Sequence, residues 1–483
     1  MNEAYDYIIV GSGAGGSAAA YRLVQTGARV LLLEKGPALP RDGSTLDVGK
    51  VIREGIFKSK ETWVDKDDKP IVPEEYFNLG GKTKWYGAAL LRFSRKEFSA
   101  DPEHQCLGWP IELNDLTPYY DEAERLLGVR TFAPEPELAR VLTRLQKNGT
   151  GSGNHWESVP LPLGLATDII EHPTEAAHFD GFASVRGLKA DAEQALLERV
   201  RKRPNLNIVT DACVTAFVPD HGGARRIAGV LCSDGRRFDA PAVILAAGAM
   251  HSPRLLQRYL DATALAERLP SYRHVGRNYK LHLLTAVIAF SRSRNDDLLR
   301  KTMLLLNERF PHSSVQPLGF DAGLIATLMP RFVPRRLAHV LADRAYGFFL
   351  QTEDGSSESN RVIDAANGGF PKLDYDPTRI PGAAREHRHL VSAFRRAIFG
   401  AGLASGAQTI PITGTAHACG TLVTGRDPAH SVVDADGRVH GLENLYVVDG
   451  SILPRSSRVN PSLTIYAWAL RVADRLAPRG AQT

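Results

Sequence analysis

The sequence predicts an α/β fold divided into two lobes. A short apolar run at residues 5–10 leads directly into the glycine-rich turn G-S-G-A-G-G at residues 11–16, and an Ala-rich stretch and a second apolar run follow. A second stretch of strand patterns, which ends in a helix pattern, lies at residues 206–256. The chain has 483 residues, which exceeds the usual size of a single core, so two lobes are expected.

The N-terminal pattern has the order of a strand–helix–strand unit. Residues 17–26 are predicted to be helical, and Gly27 ends that helix. Residues 29–33 form the second apolar run, and Glu34 closes it. A carboxylate at this distance from a glycine-rich turn is typical of a dinucleotide site.

Each part of this unit suits one part of a dinucleotide. Gly11 permits the tight turn, Gly13 lets the backbone approach a pyrophosphate, and Gly16 allows the helix to pack on the sheet. The helix N-terminus presents free N–H groups and the positive end of its dipole to the phosphates. Glu34 would accept hydrogen bonds from the ribose hydroxyls and repel a 2′-phosphate, which disfavours NADP. This reasoning does not separate NAD from FAD.

The second strand and helix pattern begins with residues 207–218, which read as a strand pair with alternating apolar residues. Residues 229–238 then read as a hairpin around Asp234-Gly235. An apolar strand follows, and a helix begins near Ser252-Pro253. The small residues at 246–248 fit either close passage past a ring or phosphate or simple packing of a helix on a strand.

Composition excludes several function classes. The 59 basic and 54 acidic residues are interleaved and give a net charge of only +5, so nucleic acid is not an expected partner. The four cysteines lie far apart without C-x-x-C spacing, so neither a metal site nor a disulfide framework is expected. No apolar stretch reaches membrane-spanning length, so membrane contact is not expected. The first strand pattern begins near residue 5, which leaves no room for a signal peptide, and a cytoplasmic location is expected.

Several further motifs occur in an order that resembles the glucose–methanol–choline (GMC) flavoprotein oxidoreductases, and the resemblance covers nearly the whole chain. Besides the N-terminal turn with Glu34, its carriers are L-G-G-K-T-K-W-Y-G-A-A at 79–89, W-P-I-E-L-N-D-L-T-P-Y-Y-D-E-A-E at 109–124, A-A-G-A-M-H-S-P at 246–253, V-G-R-N-Y at 275–279, A-H-A-C-G-T at 416–421, V-V-D-G-S-I-L-P at 447–454 and V-N-P-S-L-T-I at 459–465.

The resemblance implies FAD rather than NAD, together with a two-lobed fold. A discontinuous Rossmann-like FAD-binding domain would comprise residues 1–40, 70–100, 190–280 and 425–483. A substrate-binding lobe on an antiparallel sheet would comprise residues 101–189 and 281–424. Some relatives attach FAD covalently through a histidine in the loop matched by residues 79–89. That loop contains no histidine here, so noncovalent FAD is expected.

The resemblance also implies a set of FAD-binding positions. Gly11, Gly13 and Gly16 would hold the pyrophosphate, and Glu34 the ribose. The remaining positions follow the cofactor toward its ring: Val214 and Ala247 at the adenine, Asp449 and Gly450 near the ribityl and pyrophosphate, Gly81, Thr83 and Gly87 on the flavin side, and the backbone of Pro461 and Ser462 near the flavin ring.

His417 and Asn460 match the catalytic pair of the family in its His–Asn form, as in cholesterol oxidases and pyranose-type sugar oxidases. Hydride removal from an alcohol needs a base within hydrogen-bond reach of the hydroxyl, and imidazole is substantially neutral at working pH. An amide suits the orientation of the substrate. His282 follows V-G-R-N-Y and fits either the pocket wall or a structural position.

The predicted activity is oxidation of an alcohol group to a carbonyl, with oxygen or another electron acceptor reoxidising the flavin. Residues 307–320 resemble sugar-oxidising members, which favours a sugar, glycoside or related secondary alcohol as the small-molecule substrate. A sterol or other hydrophobic alcohol as substrate, a non-redox FAD-containing lyase, and a non-catalytic flavin-binding or scaffold protein remain alternatives, although His417 and Asn460 count against the last. The basic, partly amphipathic segment at 329–349 fits a solvated helix over the core better than a lid or membrane contact.

Overall fold

The computed structural model describes residues 4–147, 155–329, 333–365, 369–414 and 417–477. In these ranges the strands are β1 (Tyr7–Val10), β2 (Val30–Leu33), β3 (Trp63–Val64), β4 (Pro70–Ile71), β5 (Glu157–Pro160), β6 (Leu206–Val209), β7 (Val214–Asp220), β8 (Gly223–Cys232), β9 (Arg237–Asp239), β10 (Ala242–Leu245), β11 (His282–Phe290), β12 (Met303–Leu306), β13 (Ser313–Pro317), β14 (Ala345–Glu353), β15 (Arg361–Ile363), β16 (Lys372–Asp374), β17 (Ala404–Thr409) and β18 (Leu445–Val447). The α-helices are α1 (Ala14–Gln25), α2 (Leu113–Leu126), α3 (Pro136–Lys147), α4 (Pro173–Ala177), α5 (Glu198–Val200), α6 (Ser252–Ala262), α7 (Ala322–Leu328), α8 (Arg335–Ala342), α9 (Pro381–Gly400) and α10 (Ser462–Leu476).

Five strands form a wholly parallel sheet in the order β18-β10-β1-β2-β6. Its central strands are short apolar runs that are buried, as is usual for a parallel sheet covered on both faces. The chain passes from β1 through β2 to β6 on one side and returns to β10 and β18 on the other. The direction therefore changes between β1 and β10, and ligands of such sheets bind beyond the carboxyl ends of the strands at this point.

Helix α10 packs against both α1 and α2. Pro461 precedes its first residue, where a missing N–H costs no intrahelical hydrogen bond. Most of the helix is buried, and the indole N–H of Trp468 donates to the carbonyl of Val447 at 3.1 Å. The carboxy-terminal helix is thereby fixed to the end of β18.

A second, six-stranded sheet is antiparallel, with the order β17-β11-β14-β13-β12-β5. Strand β11 pairs with β14 from His282↔Glu353 to Phe290↔Ala345. Helix α9 packs on this sheet, where Phe394 contacts Phe348 edge-on in a separate apolar core. Two smaller sheets, β15-β16-β3-β4 and β7-β8-β9, complete the strand pairing of the described residues.

The predicted fold class is confirmed, with a parallel sheet in one part and an antiparallel sheet in the other. All strands of the parallel sheet come from residues 1–40, 190–280 and 425–483, and those of the six-stranded sheet from 101–189 and 281–424. This membership supports the division into an FAD-binding domain and a substrate-binding lobe, which we retain as a proposal. Residues 1–3 and 478–483 of the first, and residues 148–154, 330–332, 366–368 and 415–416 of the second, lie outside the described residues.

Most local predictions agree with the structure, and one was wrong. Strands β6 and β7 were expected to pair, but β6 joins the parallel sheet and β7 joins the sheet β7-β8-β9. Asp211 lies between them with a φ of 52°, and this left-handed residue ends the first strand and redirects the chain. The hairpin at Asp234-Gly235 is present, with β8 and β9 antiparallel.

The segment at 329–349 contains helix α8 and the start of β14, while its residues 330–332 lie outside the described ranges. None of the helices in the described part of the chain is long and apolar enough to cross a membrane.

The glycine-rich turn gives a stability prediction. A Cβ on Gly15 would lie 2.0 Å from the carbonyl oxygen of Val448, whereas a Cβ on Gly13 would meet no atom within 4 Å. Gly13 also has an ordinary φ of −65°. We expect Gly15→Ala to lower the free energy of unfolding by about 3 kcal/mol through overpacking and Gly13→Ala to leave it unchanged. Thermal unfolding of flavin-free protein measures both; equal melting temperatures for the two variants would contradict the packing argument.

Candidate active site

The glycine-rich turn lies where three parallel strands end. A Cβ on Gly11, whose φ is 101°, would lie 2.4 Å from the carbonyl oxygen of Ala246, and a Cβ on Gly16 would lie 1.9 Å from that of Gly11. These glycines are therefore required by contacts within the protein. Gly13 is different, because its Cα faces open space at the N-terminus of α1.

The loop at residues 79–89, which is predicted to lie on the flavin side, contacts the same glycine-rich turn. The backbone N–H of Gly80 donates to Oγ of Ser12 at 3.0 Å, and a Cβ on Gly81 would lie 3.0 Å from Cα of Gly13. Thr83 donates to the carbonyl of Gly80 at 2.6 Å and accepts from the backbone N–H of Ala192 at 2.9 Å. These bonds bring Gly81 and Thr83 to the glycine-rich turn.

Glu34 is buried at the end of β2. Its carboxylate accepts hydrogen bonds from the N–H and Oγ of Ser12, at 3.0 and 2.5 Å, and from the N–H of Gly36 at 3.0 Å. Burial raises the pKa of Glu34, and these hydrogen bonds act in the opposite direction. The N–H of Ala212 donates to the carbonyl of Glu34 at 2.9 Å, which brings Val214 near Glu34 along the chain.

Asp449 joins the ends of β10 and β18. One carboxylate oxygen accepts from the N–H of Gly248 at 2.8 Å and from Oγ of Ser252, and the other accepts from the N–H of Ser451 at 2.9 Å. Oγ of Ser252 also accepts from the N–H of Ala247 at 3.1 Å. Burial raises the pKa of Asp449, and its hydrogen bonds oppose that shift.

This region fits an anionic dinucleotide. Helix α1 begins at Ala14, and Gly13 at its N-cap position provides no side-chain cap. The first turn has no acidic residue, so the helix N-terminus can face a phosphate. The open space at Gly13 leaves room for a pyrophosphate to approach the backbone. A Cβ on Gly248 would likewise meet no atom within 4 Å.

His417 and Asn460 lie together at the far end of this region. Nε2 of His417 is 3.3 Å from Nδ2 of Asn460, although the two residues belong to separate segments. Both side chains are partly exposed, whereas His282 and Gln316 behind them are buried. Ala416, which begins the A-H-A-C-G-T motif, lies outside the described residues.

Hydrogen bonds extend from both members of this pair. Nδ1 of His417 is 2.8 Å from Nδ1 of His282, and Nε2 of His282 donates to the carbonyl of Ser457 at 2.7 Å. Nε2 of Gln316 donates to Oδ1 of Asn460 at 2.6 Å. His282 therefore belongs to the network around His417, and Gln316 lies in the 307–320 region that resembles sugar-oxidising members.

Desolvation favours the neutral form of both imidazoles. Desolvation holds the pKa of His417 well below its usual range, and His282, Lys301 and Lys82 lower it further. Desolvation likewise lowers the pKa of His282 to about 4. A neutral imidazole can accept a proton at neutral pH, so the electrostatics suit a base at this position.

A buried ion pair borders the predicted flavin side. Nζ of Lys301 lies 3.0 Å from Oδ2 of Asp180, which also accepts from the N–H of Gly319 at 3.1 Å. A Cβ on Gly87 would lie 2.5 Å from that Nζ and 2.2 Å from Oδ1 of Asp180. Gly87 thus allows the charged pair to lie against the backbone. No motif in the sequence indicated Lys301 or Asp180.

Within the described part of the chain, one cluster of side chains has the spacing of metal ligands: His104, Cys106 and His312. The two imidazole rings stack face to face, with centroids 3.7 Å apart. Nδ1 of His312 is 2.9 Å from Glu353 and its Nε2 is 3.1 Å from Asp101. Since both nitrogens of His312 already contact carboxylates, this group is an ionic cluster with little capacity to bind a metal.

Comparison with known families identifies the chain. Residues 6–414 match the family model described as FAD dependent oxidoreductase, and residues 384–469 match the model described as GMC oxidoreductase. The chain belongs to the GMC oxidoreductases. It is an FAD-dependent alcohol oxidoreductase, so the predicted family and cofactor are confirmed.

Characterised GMC enzymes align along the whole chain. It is 29% identical to 6'''-hydroxyparomomycin C oxidase from Streptomyces lividus and to paromamine 6'-oxidase from Streptomyces fradiae, over 99% of this chain and 92% of each relative. It is 25% identical to cholesterol oxidase from Mycobacterium tuberculosis, over 99% of this chain and 94% of that enzyme. The structure of pyridoxine 4-oxidase from Mesorbium loti has the same fold, with a TM-score of 0.69 and 21% identity over 98% of this chain and 99% of that one.

The open space at Gly13 predicts how FAD binding can be lost without loss of the fold. We expect Gly13→Asp to remove FAD, because a carboxylate there would repel the pyrophosphate, while Gly13→Ala keeps partial binding. Flavin absorbance per protein and thermal unfolding of the flavin-free forms measure the two effects separately. Full flavin content in Gly13→Asp would exclude the pyrophosphate from this position.

The lack of a histidine in the loop at 79–89 predicts that FAD is not covalently attached. Acid precipitation of the wild-type protein should therefore release all flavin into the supernatant.

Proposed function

We propose that this enzyme oxidises an alcohol group of a sugar or glycoside, with His417 as general base and Asn460 orienting the substrate hydroxyl. The observation that carries the proposal is the contact between these two partly exposed side chains, 3.3 Å apart, in front of a buried hydrogen-bonded layer. A hydroxyl that contacts both from the exposed side could donate to the imidazole and accept from the amide N–H.

The proposed cofactor site comprises the residues that surround the glycine-rich turn and the ends of the parallel strands. FAD, when bound there, accepts the hydride that leaves the alcohol carbon. The assigned residues are Gly11, Gly13, Gly16, Glu34, Gly81, Thr83, Gly87, Val214, Ala247, Asp449, Gly450, Pro461 and Ser462. Their support is the open space at Gly13, the uncapped N-terminus of α1 and the convergence of Glu34 and Asp449 on the same sheet edge.

The chain's own residues perform the remaining steps. Asn460 holds the hydroxyl, and its carbonyl oxygen is fixed by Gln316. His417 takes the hydroxyl proton as the hydride leaves, so that the carbon becomes a carbonyl. Because desolvation lowers the pKa of His417, the ring is neutral and ready to act well below pH 6.5.

Two observations support a polar substrate: the polar side chains behind His417 and Asn460, and the names of the relatives. Ser314 and Gln351 donate to the carbonyl of Arg458, and Gln316 donates to Asn460. Two relatives are named for the oxidation of paromamine and 6'''-hydroxyparomomycin C. The similarity to cholesterol oxidase keeps a sterol as the second candidate. A cytoplasmic location is part of the proposal; all four cysteines are free, as in a reducing compartment.

His417 can be tested directly. We expect His417→Ala to keep FAD but to slow anaerobic flavin reduction by roughly 10²- to 10⁴-fold, the range for a lost general base. Asn460→Ala should weaken turnover by disturbing substrate orientation. An unchanged reduction rate in His417→Ala would move the base to another residue.

The lowered pKa of His417 gives a pH prediction. In the wild type the rate of anaerobic flavin reduction should stay flat from pH 8 to below pH 6.5, because protonation of His417 occurs only at lower pH.

The substrate class is tested with a panel of alcohols mixed anaerobically with the enzyme. We expect paromamine or methyl glucoside to bleach the flavin, because residues 307–320 resemble sugar-oxidising members and two relatives are named for aminoglycoside oxidation. Cholesterol and 1-octanol should fail. Bleaching by cholesterol or 1-octanol alone would replace the sugar with a hydrophobic alcohol, and no bleaching by any alcohol would favour a lyase.

A further inference from the structure

We propose that His282 is a positioning residue that holds His417 in the Nδ1-protonated tautomer, so that Nε2 is the atom that receives the substrate proton. The inference rests on the proposed function, because it specifies how His417 would act as the base. It is carried by the chain of hydrogen bonds that runs through both imidazoles.

Backbone register brings the two histidines together. Lys280 and Cys419 form an antiparallel bridge, with N–H to carbonyl distances of 3.1 and 2.9 Å in the two directions. His282 lies two residues after Lys280, and His417 lies two residues before Cys419, so the bridge keeps the two histidine-bearing segments adjacent. The pairing does not continue as a regular strand, because His417 has a left-handed φ of 62°. The rings meet edge to face with centroids 4.8 Å apart.

Proton positions follow from the partner at the buried end. The carbonyl of Ser457 can only accept a hydrogen bond, so Nε2 of His282, 2.7 Å away, must carry a proton. His282 is 1% exposed, and desolvation lowers its pKa to about 4, so the ring is neutral. A neutral ring has one N–H, which leaves Nδ1 of His282 as an acceptor. Nδ1 of His417, 2.8 Å away, must then be the donor.

The hydrogen bonds at the Asn460 end of the network give the same tautomer of His417. Gln316 is buried and donates from Nε2 to Oδ1 of Asn460, which turns the Asn460 amide nitrogen toward His417. That nitrogen can only donate, and it lies 3.3 Å from Nε2 of His417. Nε2 must therefore carry a lone pair. His282 and Gln316 fix the same tautomer from opposite ends.

The tautomer decides which step the ring can perform. The substrate O–H bond breaks as a new bond forms between that proton and Nε2, while the hydride leaves the carbon for FAD. The resulting imidazolium keeps its Nδ1–H bond to His282, whose lone pair stabilises the new charge. In the opposite tautomer, Nε2–H would face the substrate and the lone pair would point at His282, so no proton could be taken from the hydroxyl.

The charged groups around the two rings already have partners. Lys301 and Lys82 lower the pKa of His417, and Lys301 pairs with Asp180 at 3.0 Å. Lys82 contacts Glu75 at 2.5 Å. Glu353 acts to raise the pKa of His282 and forms a buried ion pair with Arg455 at 2.6 Å. The pH dependence of the site should therefore follow the two imidazoles.

Two substitutions separate the roles of His282. His282→Leu removes the acceptor, whereas His282→Asn places an amide oxygen near the position of Nδ1. We expect His282→Leu to slow anaerobic reduction by paromamine, or by the alcohol in the panel that bleaches the flavin, roughly 10- to 100-fold at every pH, the usual cost of losing such a supporting partner. The dissociation constant for the alcohol should change little. His282→Asn should recover most of the rate.

His387→Leu is the matched control. His387 is another buried histidine, its pKa is lowered to about 4 by desolvation, and its two nitrogens bond Thr285 and Thr352 on the same sheet. We expect this variant to lose stability but to keep the reduction rate. Equal losses of rate in His282→Leu, His282→Asn and His387→Leu would mean that His282 only supports the fold.

The wild-type protein provides a readout that does not depend on any variant folding. Nitrogen-15 spectra of histidine-labelled enzyme, assigned with His417→Ala, should show His417 protonated at Nδ1 and unprotonated at Nε2. Protonation at Nε2 would overturn the proposal. If His417→Ala abolishes reduction but His282→Leu does not alter it, only the role of His282 fails. If His417→Ala leaves the rate unchanged, the proposed base itself fails.

Discussion

The structure depends on backbone contacts at the glycine-rich turn that leave no space for side chains. Gly11 touches the carbonyl of Ala246, and Gly15 touches that of Val448, so the ends of β1, β10 and β18 meet within a few ångströms. Segments more than 200 residues apart are joined at this point. The position of Asp449 follows, because its carboxylate bonds the N–H of Gly248 on the neighbouring segment. The stretch from Asp449 to Asn460 then carries the chain from the cofactor region to the second sheet.

Buried charge, as well as apolar packing, fixes that stretch. Arg455 makes two contacts with Glu353 at the end of β14, and the same carboxylate accepts from the N–H of Ser457 at 2.9 Å. Glu97 accepts from the N–H of Arg458 at 2.9 Å. A buried ion pair is weak support for net stability, but removal of one partner leaves a costly unpaired charge. These pairs thus restrict the chain to one path, which directs the Ser457 carbonyl to His282 and places Asn460 beside His417.

How much the sequence could predict depends on how local each feature is. The strand–turn–helix unit and Glu34 follow from spacing over about thirty residues, and the motif order was sufficient for the family and FAD. The contact of His282 with His417 was not predictable, because it depends on the Lys280–Cys419 register between segments over 130 residues apart. The Lys301–Asp180 pair was not predictable either, because it joins residues 121 positions apart. The separation of β6 from β7 depends on one left-handed residue, Asp211, which alternating apolar residues do not indicate.

The electrostatics of the site follow from this arrangement. Since the surrounding lysines and carboxylates pair with one another, and both imidazoles are desolvated, the proposed catalytic pair His417–Asn460 carries no net charge of its own. In the proposed mechanism, a positive charge would form on His417 only when the hydroxyl proton arrives, as the hydride leaves the alcohol carbon. Bound FAD would supply the hydride acceptor, and attraction between opposite charges is stronger in a region of low dielectric than in water. A neutral resting site therefore suits hydride transfer better than a permanently charged histidine, because an imidazolium could not accept the proton at all.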